Sequence, residues 1–302
     1  MVNRPVKNVE ASIRNRLLNI SKKTGENYNA ILLRFFQERF LARLGSSAYR
    51  EHFVLKGGVL LLIRSVTPFR PTMDIDMLGL AISNDPKQLG IVIQEIGCLE
   101  LNDGVLFDMD TITNSVIKED DAYQGLRFIF GVRLGKMRTR MQLDIAFGDF
   151  VPLTFIKDSL PPLLPDLTSL ELLIYPLESV ISEKFQSIVY LERASSRMKD
   201  FYDILFLAEN NMFTLEKLKL AMKATFEHRE TDIESRFNIY KPEYIKEKDK
   251  QWKPFLKKIG GKEPVEFSEI IYRIKSFLEP VLKAGIDEYD LKWDSNTWKW
   301  RN

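Results

Sequence analysis

Two aspartates one residue apart, Asp74-Ile75-Asp76, are the side chains in this sequence best spaced for shared chemistry. On a strand, residues two apart face the same side, so both carboxylates would lie on one face, with Met73, Ile75 and Met77 on the other. Neighbouring carboxylates repel, and a bound divalent cation relieves the repulsion. An exposed polar strand would show the same spacing, so the surrounding segments have to decide. Upstream, Lys56-Gly57-Gly58 precedes the apolar run Val59-Leu60-Leu61-Leu62-Ile63. Taken alone, Gly-Gly is most often a plain turn. Placed before a helix, glycines let backbone amides approach a ligand closely, and a helix N-terminus offers unpaired N–H groups and a dipole suited to phosphate. Downstream, Gln142-Leu143-Asp144-Ile145-Ala146-Phe147 alternates, with Leu143, Ile145 and Phe147 on a buried face. Asp144 points the other way, at the same parity as Arg138, Arg140 and Gln142. If this strand lies beside the Asp74 strand, Asp144 becomes a third metal carboxylate, and three acids on neighbouring strands can hold two ions. Asp149, past Gly148 in a turn, is a fallback. Arg70 has the parity of Asp74 and stands to receive a phosphate, although Pro71 interrupts the strand between them.

A further group lies in the second half of the chain. Ile181, Lys184, Ile188 and Leu191 form one stripe at helical spacing. A lysine in an apolar stripe is costly unless its ammonium meets an anion, a phosphate or a carboxylate, or reaches out to water at the stripe's edge. Asp200 and Asp203 share a helix face among Phe201, Ile204, Leu205 and Leu207. Buried carboxylates require partners, and Arg193 and Arg197 are the nearest in sequence. A purely structural Arg–Asp network is the rival to a functional role there.

Composition removes several other chemistries. The 302 residues are 45% hydrophobic and 28% charged, enough for a buried core and for one large domain or two smaller ones. Cys98 is the sole cysteine, which rules out an intrachain disulfide and a zinc–thiolate cluster. His52 and His228 are the only histidines, so a multi-histidine metal site is impossible and neither residue sits in a nucleophile-elbow context. Metal chemistry must therefore use carboxylates, which points to magnesium or manganese. No apolar run is long enough to span a bilayer, and Met1–Pro5 lacks an apolar leader core; we expect a cytoplasmic protein with no membrane contact. The net charge of +2 is uneven: residues 1–50 hold ten Lys/Arg against three acids, a balance of +7. Such a flank can attract RNA, although a solvated helix face is the commoner meaning of such a charge run.

Taken together, Gly57-Gly58, Arg70, Asp74-Ile75-Asp76 and Leu143-Asp144-Ile145 resemble the nucleotidyltransferase signature of the DNA polymerase β-like superfamily. More closely, Phe53-Val54-Leu55-Lys56-Gly57-Gly58 through Asp76 resembles the AbiEii/AbiGii family of bacterial toxins. Glu183-Lys184 followed by Arg193, Arg197 and Lys199-Asp200-Phe201-Tyr202-Asp203 is similar to that family's later motif, with Lys199 where the family often has Arg. The resemblance covers roughly residues 50–210. It implies a metal-dependent transfer of NMP from an NTP to an acceptor hydroxyl, with RNA, tRNA in some relatives, as acceptor. It also implies a toxin of a toxin–antitoxin or phage-defence pair, with a cognate antitoxin. The implied site has Asp74, Asp76 and Asp144 on Mg2+ or Mn2+. Lys56, Gly57, Gly58, Arg70, Lys184, Arg193 and Arg197 lie near phosphates, and Asp200 holds Lys184 or helps deprotonate the acceptor. The alternative is a non-catalytic NTP- or nucleic-acid-binding member of the same fold.

These residues must be positioned by a chain whose pattern predicts an α/β (α+β) fold, a mixed sheet with flanking helices and a mainly helical C-terminal lobe. Helices are predicted over 8–45, broken at Thr24-Gly25, and over 86–98; strands over 72–80, 105–117, 126–133 and 139–147. Pro152, Pro161, Pro162 and Pro165 crowd the expected boundary between lobes. The expected divisions are basic N-terminal helices in 1–50, a sheet domain in 51–165 and a helical lobe in 166–302. Residues 241–262, with eight lysines around Tyr244, Trp252 and Phe255, read as an amphipathic helix packing on the catalytic lobe, and Gly260-Gly261 as a break. Trp293, Trp298 and Trp300 read as packing anchors.

Overall fold

The computed structural model describes residues 9–65, 70–120, 123–260, 266–283 and 290–302. Met1–Pro5, Arg4, Lys7 and Gly261, which enter the sequence expectations above, lie outside the described residues. Two compact units are present, one of Met1–Asp149 with Phe155–Tyr175 and one of Phe150–Thr154 with Pro176–Asn302.

The first unit is built on a seven-stranded mixed sheet. Its strands are β1 (Phe53–Lys56), β2 (Asp74–Gly79), β3 (Val105–Asp120), β4 (Tyr123–Leu134), β5 (Met137–Ala146), β6 (Ile156–Leu160) and β7 (Leu170–Ile174), in the order β3-β4-β5-β2-β1-β7-β6. β2 runs antiparallel to β1 and parallel to β5. Alternation gives the sheet its two faces: Ile75, Met77, Leu143 and Ile145 are buried while Asp74, Asp76 and Asp144 are only partly covered. Met73, expected on the apolar face, is 72% exposed, because it precedes the strand and the pleat does not yet govern it.

Helices α1 (Val9–Thr24), α2 (Tyr28–Gly45), α3 (Gly57–Arg64) and α4 (Pro86–Gly97) complete the unit. Asn27 caps α2 by accepting the Asn29 and Ala30 N–H groups, and Asp85 caps α4 with Pro86 at its first position. α2 is buried nearly all round. Phe40 packs its ring 5.4 Å from Phe130 and 5.6 Å from Phe107, tying the helix to β3 and β4.

This burial changes the meaning of the basic N-terminal flank. Arg43 is buried and forks onto Asp103 at 2.8 and 3.0 Å. Arg34 pairs with the fully buried Glu38 at 2.9 Å, Arg16 pairs with Asp166, and Arg39 is buried beside Phe35. Much of the +7 is therefore used inside the unit and is not a solvated face. Burial raises the Glu38 carboxyl above its ordinary range, against the pull of Arg34.

Two strands of this sheet were not visible in the sequence. β6 reads Ile-Lys-Asp-Ser-Leu, a polar edge strand without clean alternation, and β7 has only five residues. β7 pairs in parallel with β1, at Val54 to Leu173 and Leu55 to Ile174. The first unit consequently extends to Tyr175, beyond the boundary expected at 165, since a strand inserted beside β1 belongs to the sheet whatever prolines precede it.

The second unit contains α5 (Leu177–Leu191), α6 (Met198–Asn210), α7 (Leu215–His228), α8 (Pro242–Lys258) and α9 (Phe267–Lys283), then a hairpin of β8 (Lys292–Asp294) and β9 (Lys299–Arg301). α8 packs on its own unit: Trp252 lies 5.8 Å from Phe267 of α9, and Phe255 lies 6.1 Å from Tyr202 of α6. Trp293 is buried against Phe277 at 4.6 Å and donates its indole N–H to the Ala208 carbonyl, 2.7 Å. The anchor reading of the C-terminal tryptophans holds, on a hairpin the sequence pattern did not disclose.

Candidate active site

Residue pairing between β2 and β5 sets the geometry. The register places Ile75 opposite Leu143 and Asp76 opposite Asp144, with Asp74 opposite Gln142. One oxygen from each of Asp74, Asp76 and Asp144 lies within 4.8 Å of the other two. Like charges at that distance repel by about 3 kcal/mol per pair at an effective dielectric of 20. The cluster therefore requires a positive neighbour. Its donor set is three carboxylates, oxygen only, which fits a hard divalent cation such as Mg2+ or Mn2+.

Three neighbours shape the cluster. Gly57 opens α3 with φ +68°, and a Cβ at that position would stand 1.9 Å from Asp76 Oδ2. The helix start and the carboxylate are in contact only because no side chain stands between them. A Cβ on Gly58 would meet Thr72 Oγ1 at 2.7 Å, and that hydroxyl donates to Asp74 Oδ1, 2.9 Å. Thr72 is held in turn by the buried Gln37 of α2, which donates to its carbonyl.

Arg127 of β4 was absent from the sequence-derived set. It sits directly opposite Asp144 in the β4–β5 pairing and forks onto it, Nε to Oδ1 at 2.9 Å and Nη2 to Oδ2 at 2.7 Å. The hydrogen bond to Asp144 first, then the charges of Asp144, Asp74 and Asp76, raise its pKa above the ordinary arginine value. Gln142 Nε2 reaches both Asp144 oxygens, at 3.2 and 3.1 Å. No local signal marks Arg127, because only strand register brings it to Asp144.

The remaining expected residues divide. Lys56 ends β1 and forms an ion pair with Asp149 at 2.5 Å, so Asp149 serves as its partner. Both line a cavity of ≈ 20 Å³ together with Asp76, Asp144, Ile117 and Phe147. Arg70 is buried. In the helical unit, Lys184 lies 2.9 Å from Asp200 and 2.7 Å from Asp203, both buried. Arg193 and Arg197, expected as the nearest partners of those aspartates, are exposed instead, and Arg193 lies 3.8 Å from Glu247. The reason is the turn Glu192–Ala194 after α5, which the buried Lys248 fixes by donating to the carbonyls of Arg193 and Ser195.

Comparison with known proteins assigns this arrangement to a class. The sequence model of the nucleotidyl transferase AbiEii toxins, from type IV toxin–antitoxin systems, matches residues 39–279. The chain belongs to that family and is a nucleotidyltransferase toxin. Membership implies a nucleotide substrate and an antitoxin partner. Two solved structures are similar at 15% identity and a TM-score of 0.49: JHP933 from Helicobacter pylori, over 84% of this chain and 94% of that one, and a second H. pylori protein, provisionally described as a nucleotidyltransferase, over 85% and 99%. No curated protein matches the sequence. Among the described residues no helix is long and apolar enough to cross a membrane.

Proposed function

We propose that the chain transfers NMP from an NTP to a hydroxyl of RNA, with Asp74, Asp76 and Asp144 as ligands of Mg2+ or Mn2+. The observation that carries this reading is the convergence of the three carboxylates beside the glycine start of α3. When bound, a divalent cation would neutralise the developing phosphate charge and orient the attacking oxygen. The acceptor oxygen forms a bond to the α-phosphorus, the bond to pyrophosphate breaks, and the hydroxyl proton leaves to water through a triad carboxylate. Gly57 and Gly58 leave the α3 amides open to phosphate oxygens, and Arg70 and Lys56 add positive charge. We further assign Lys184 to phosphate, with Asp200 holding its ammonium, and Arg193 and Arg197 to outer phosphate contacts.

An RNA acceptor, tRNA being the first to test, is favoured by the face on which Asp144 lies. Arg140 and Arg138 follow on β5 at the same parity, exposed and without an ion pair among the described residues. A polyanion laid along that face would run towards the carboxylates.

The test incubates the protein with Mg2+, total tRNA and each α-labelled NTP, with Asp74→Asn/Asp76→Asn as control. We expect label on RNA from one NTP and a loss of about 100-fold or more in the variant. Label on a protein instead would replace the acceptor. Tight NTP binding with no label anywhere would support the non-catalytic reading.

A further inference from the structure

Asp144 is engaged by two neighbours. Oδ1 accepts from Arg127 Nε and Gln142 Nε2, and Oδ2 from Arg127 Nη2 and Gln142 Nε2. The Arg127 fork takes one position on each oxygen, and the single Gln142 amide nitrogen lies within hydrogen-bond distance of both. Asp74 accepts the Thr72 hydroxyl at its Oδ1. A cation that takes Asp144 together with Asp74 and Asp76 must therefore compete with the Arg127 fork. Gln142 is neutral and can turn aside at little electrostatic cost. Arg127 is a full positive charge directed at the same acidic cluster, and it competes with a cation for both the lone pairs and the field.

Arg127 is also able to leave. Its side chain is 37% exposed, against 14% for Asp144. Its cross-strand neighbour on the other side is Ser115 of β3, which offers no competing charge. The pair differs in this from the buried Arg43–Asp103 fork, whose members are 3% and 1% exposed and which has no acidic cluster to compensate.

We propose that Arg127 is the resident counter-ion of the carboxylate site, and that a divalent cation binds by displacing its guanidinium from Asp144. Arg127 then sets the cation affinity: it keeps the three acids compact without the ion and is exchanged for it when the ion binds. This rests on the reading of Asp74, Asp76 and Asp144 as cation ligands, and the experiment separates the two.

Mn2+ binding is measured from the free-ion electron paramagnetic resonance signal for the wild type, Arg127→Gln, Arg127→Lys and Asp76→Asn. We expect Arg127→Gln to bind Mn2+ about 3- to 10-fold more tightly, the equilibrium value of a half-exposed bidentate pair. Arg127→Lys, which keeps the charge and loses the fork, should fall between. The thermal midpoint of Arg127→Gln should drop below wild type without metal and rise more steeply as Mn2+ is added. Should Arg127→Gln fail to fold without metal, Mn2+ binding by Arg127→Lys tighter than wild type carries the test. Unchanged or weaker Mn2+ binding in both Arg127 variants, with Asp76→Asn impaired, overturns the counter-ion and leaves the ligand assignment standing. Absence of Mn2+ uptake by the wild type and all variants overturns both.

Discussion

Gly57 has φ +68°, a backbone region that side-chain-bearing residues rarely adopt, and the space beside it is filled by the Asp76 carboxylate. Alanine there meets two penalties at once, backbone strain and a clash with Oδ2. We expect Gly57→Ala to destabilise the protein by about 1–3 kcal/mol in urea unfolding. It should lower NMP transfer further than instability explains, because Asp76 must move. Gly58→Ala should be milder: φ is not positive there, so only the clash with the Thr72 hydroxyl and Cβ, at 2.7 and 2.9 Å, remains. Wild-type transfer by Gly57→Ala would remove the close approach from the site's requirements.

Between α5 and α6, one lysine neutralises two carboxylates. Asp203 is 0% and Asp200 5% exposed, and Lys184 stands within 3 Å of both. Removing a cation that contacts a buried acid pair costs more than the pair contributes, about 3–5 kcal/mol. Lys184→Met should lose that much in denaturant unfolding, and adding Asp200→Asn and Asp203→Asn should recover most of it. Triphosphate affinity separates the roles. If the rescued triple variant binds triphosphate as the wild type does, Lys184 holds α5 to α6 and does not contact phosphate. The helical spacing that singled out Lys184 also explains the buried stripe of Ile181 and Ile188, so periodicity located the residue; packing supplied the two carboxylates beside it.

Across the whole molecule, a net charge of +2 conceals how the arginines are used. In α2 they are internal, paired with Glu38 and Asp103 or buried beside rings. On β5, Arg138 and Arg140 remain exposed on the face that carries Asp144. Arg138→Ala/Arg140→Ala should weaken RNA binding at low salt and reduce the log–log salt slope by about 1 per arginine. The unfolding midpoint should stay near wild type, since exposed substitutions away from paired groups usually shift stability by less than about 0.5 kcal/mol. An unchanged salt slope would move the acceptor surface elsewhere.

The sequence by itself determined which side chains share a face. Alternation in Asp74-Ile75-Asp76 and Leu143-Asp144-Ile145, the Gly-Gly helix start and the stripe holding Lys184 are local properties, because strand and helix periods act within a few residues. It also carried the AbiEii resemblance, which the match over residues 39–279 establishes. The tertiary structure decided what those faces meet. Parallel pairing of β2 with β5 brought Asp144 opposite Asp76, antiparallel pairing of β4 with β5 brought Arg127 onto Asp144, and β7 joined β1 from beyond the proline-rich segment. Register between distant strands is a property of the assembled sheet, fixed by the burial of one face of every strand together, so no single segment encodes it.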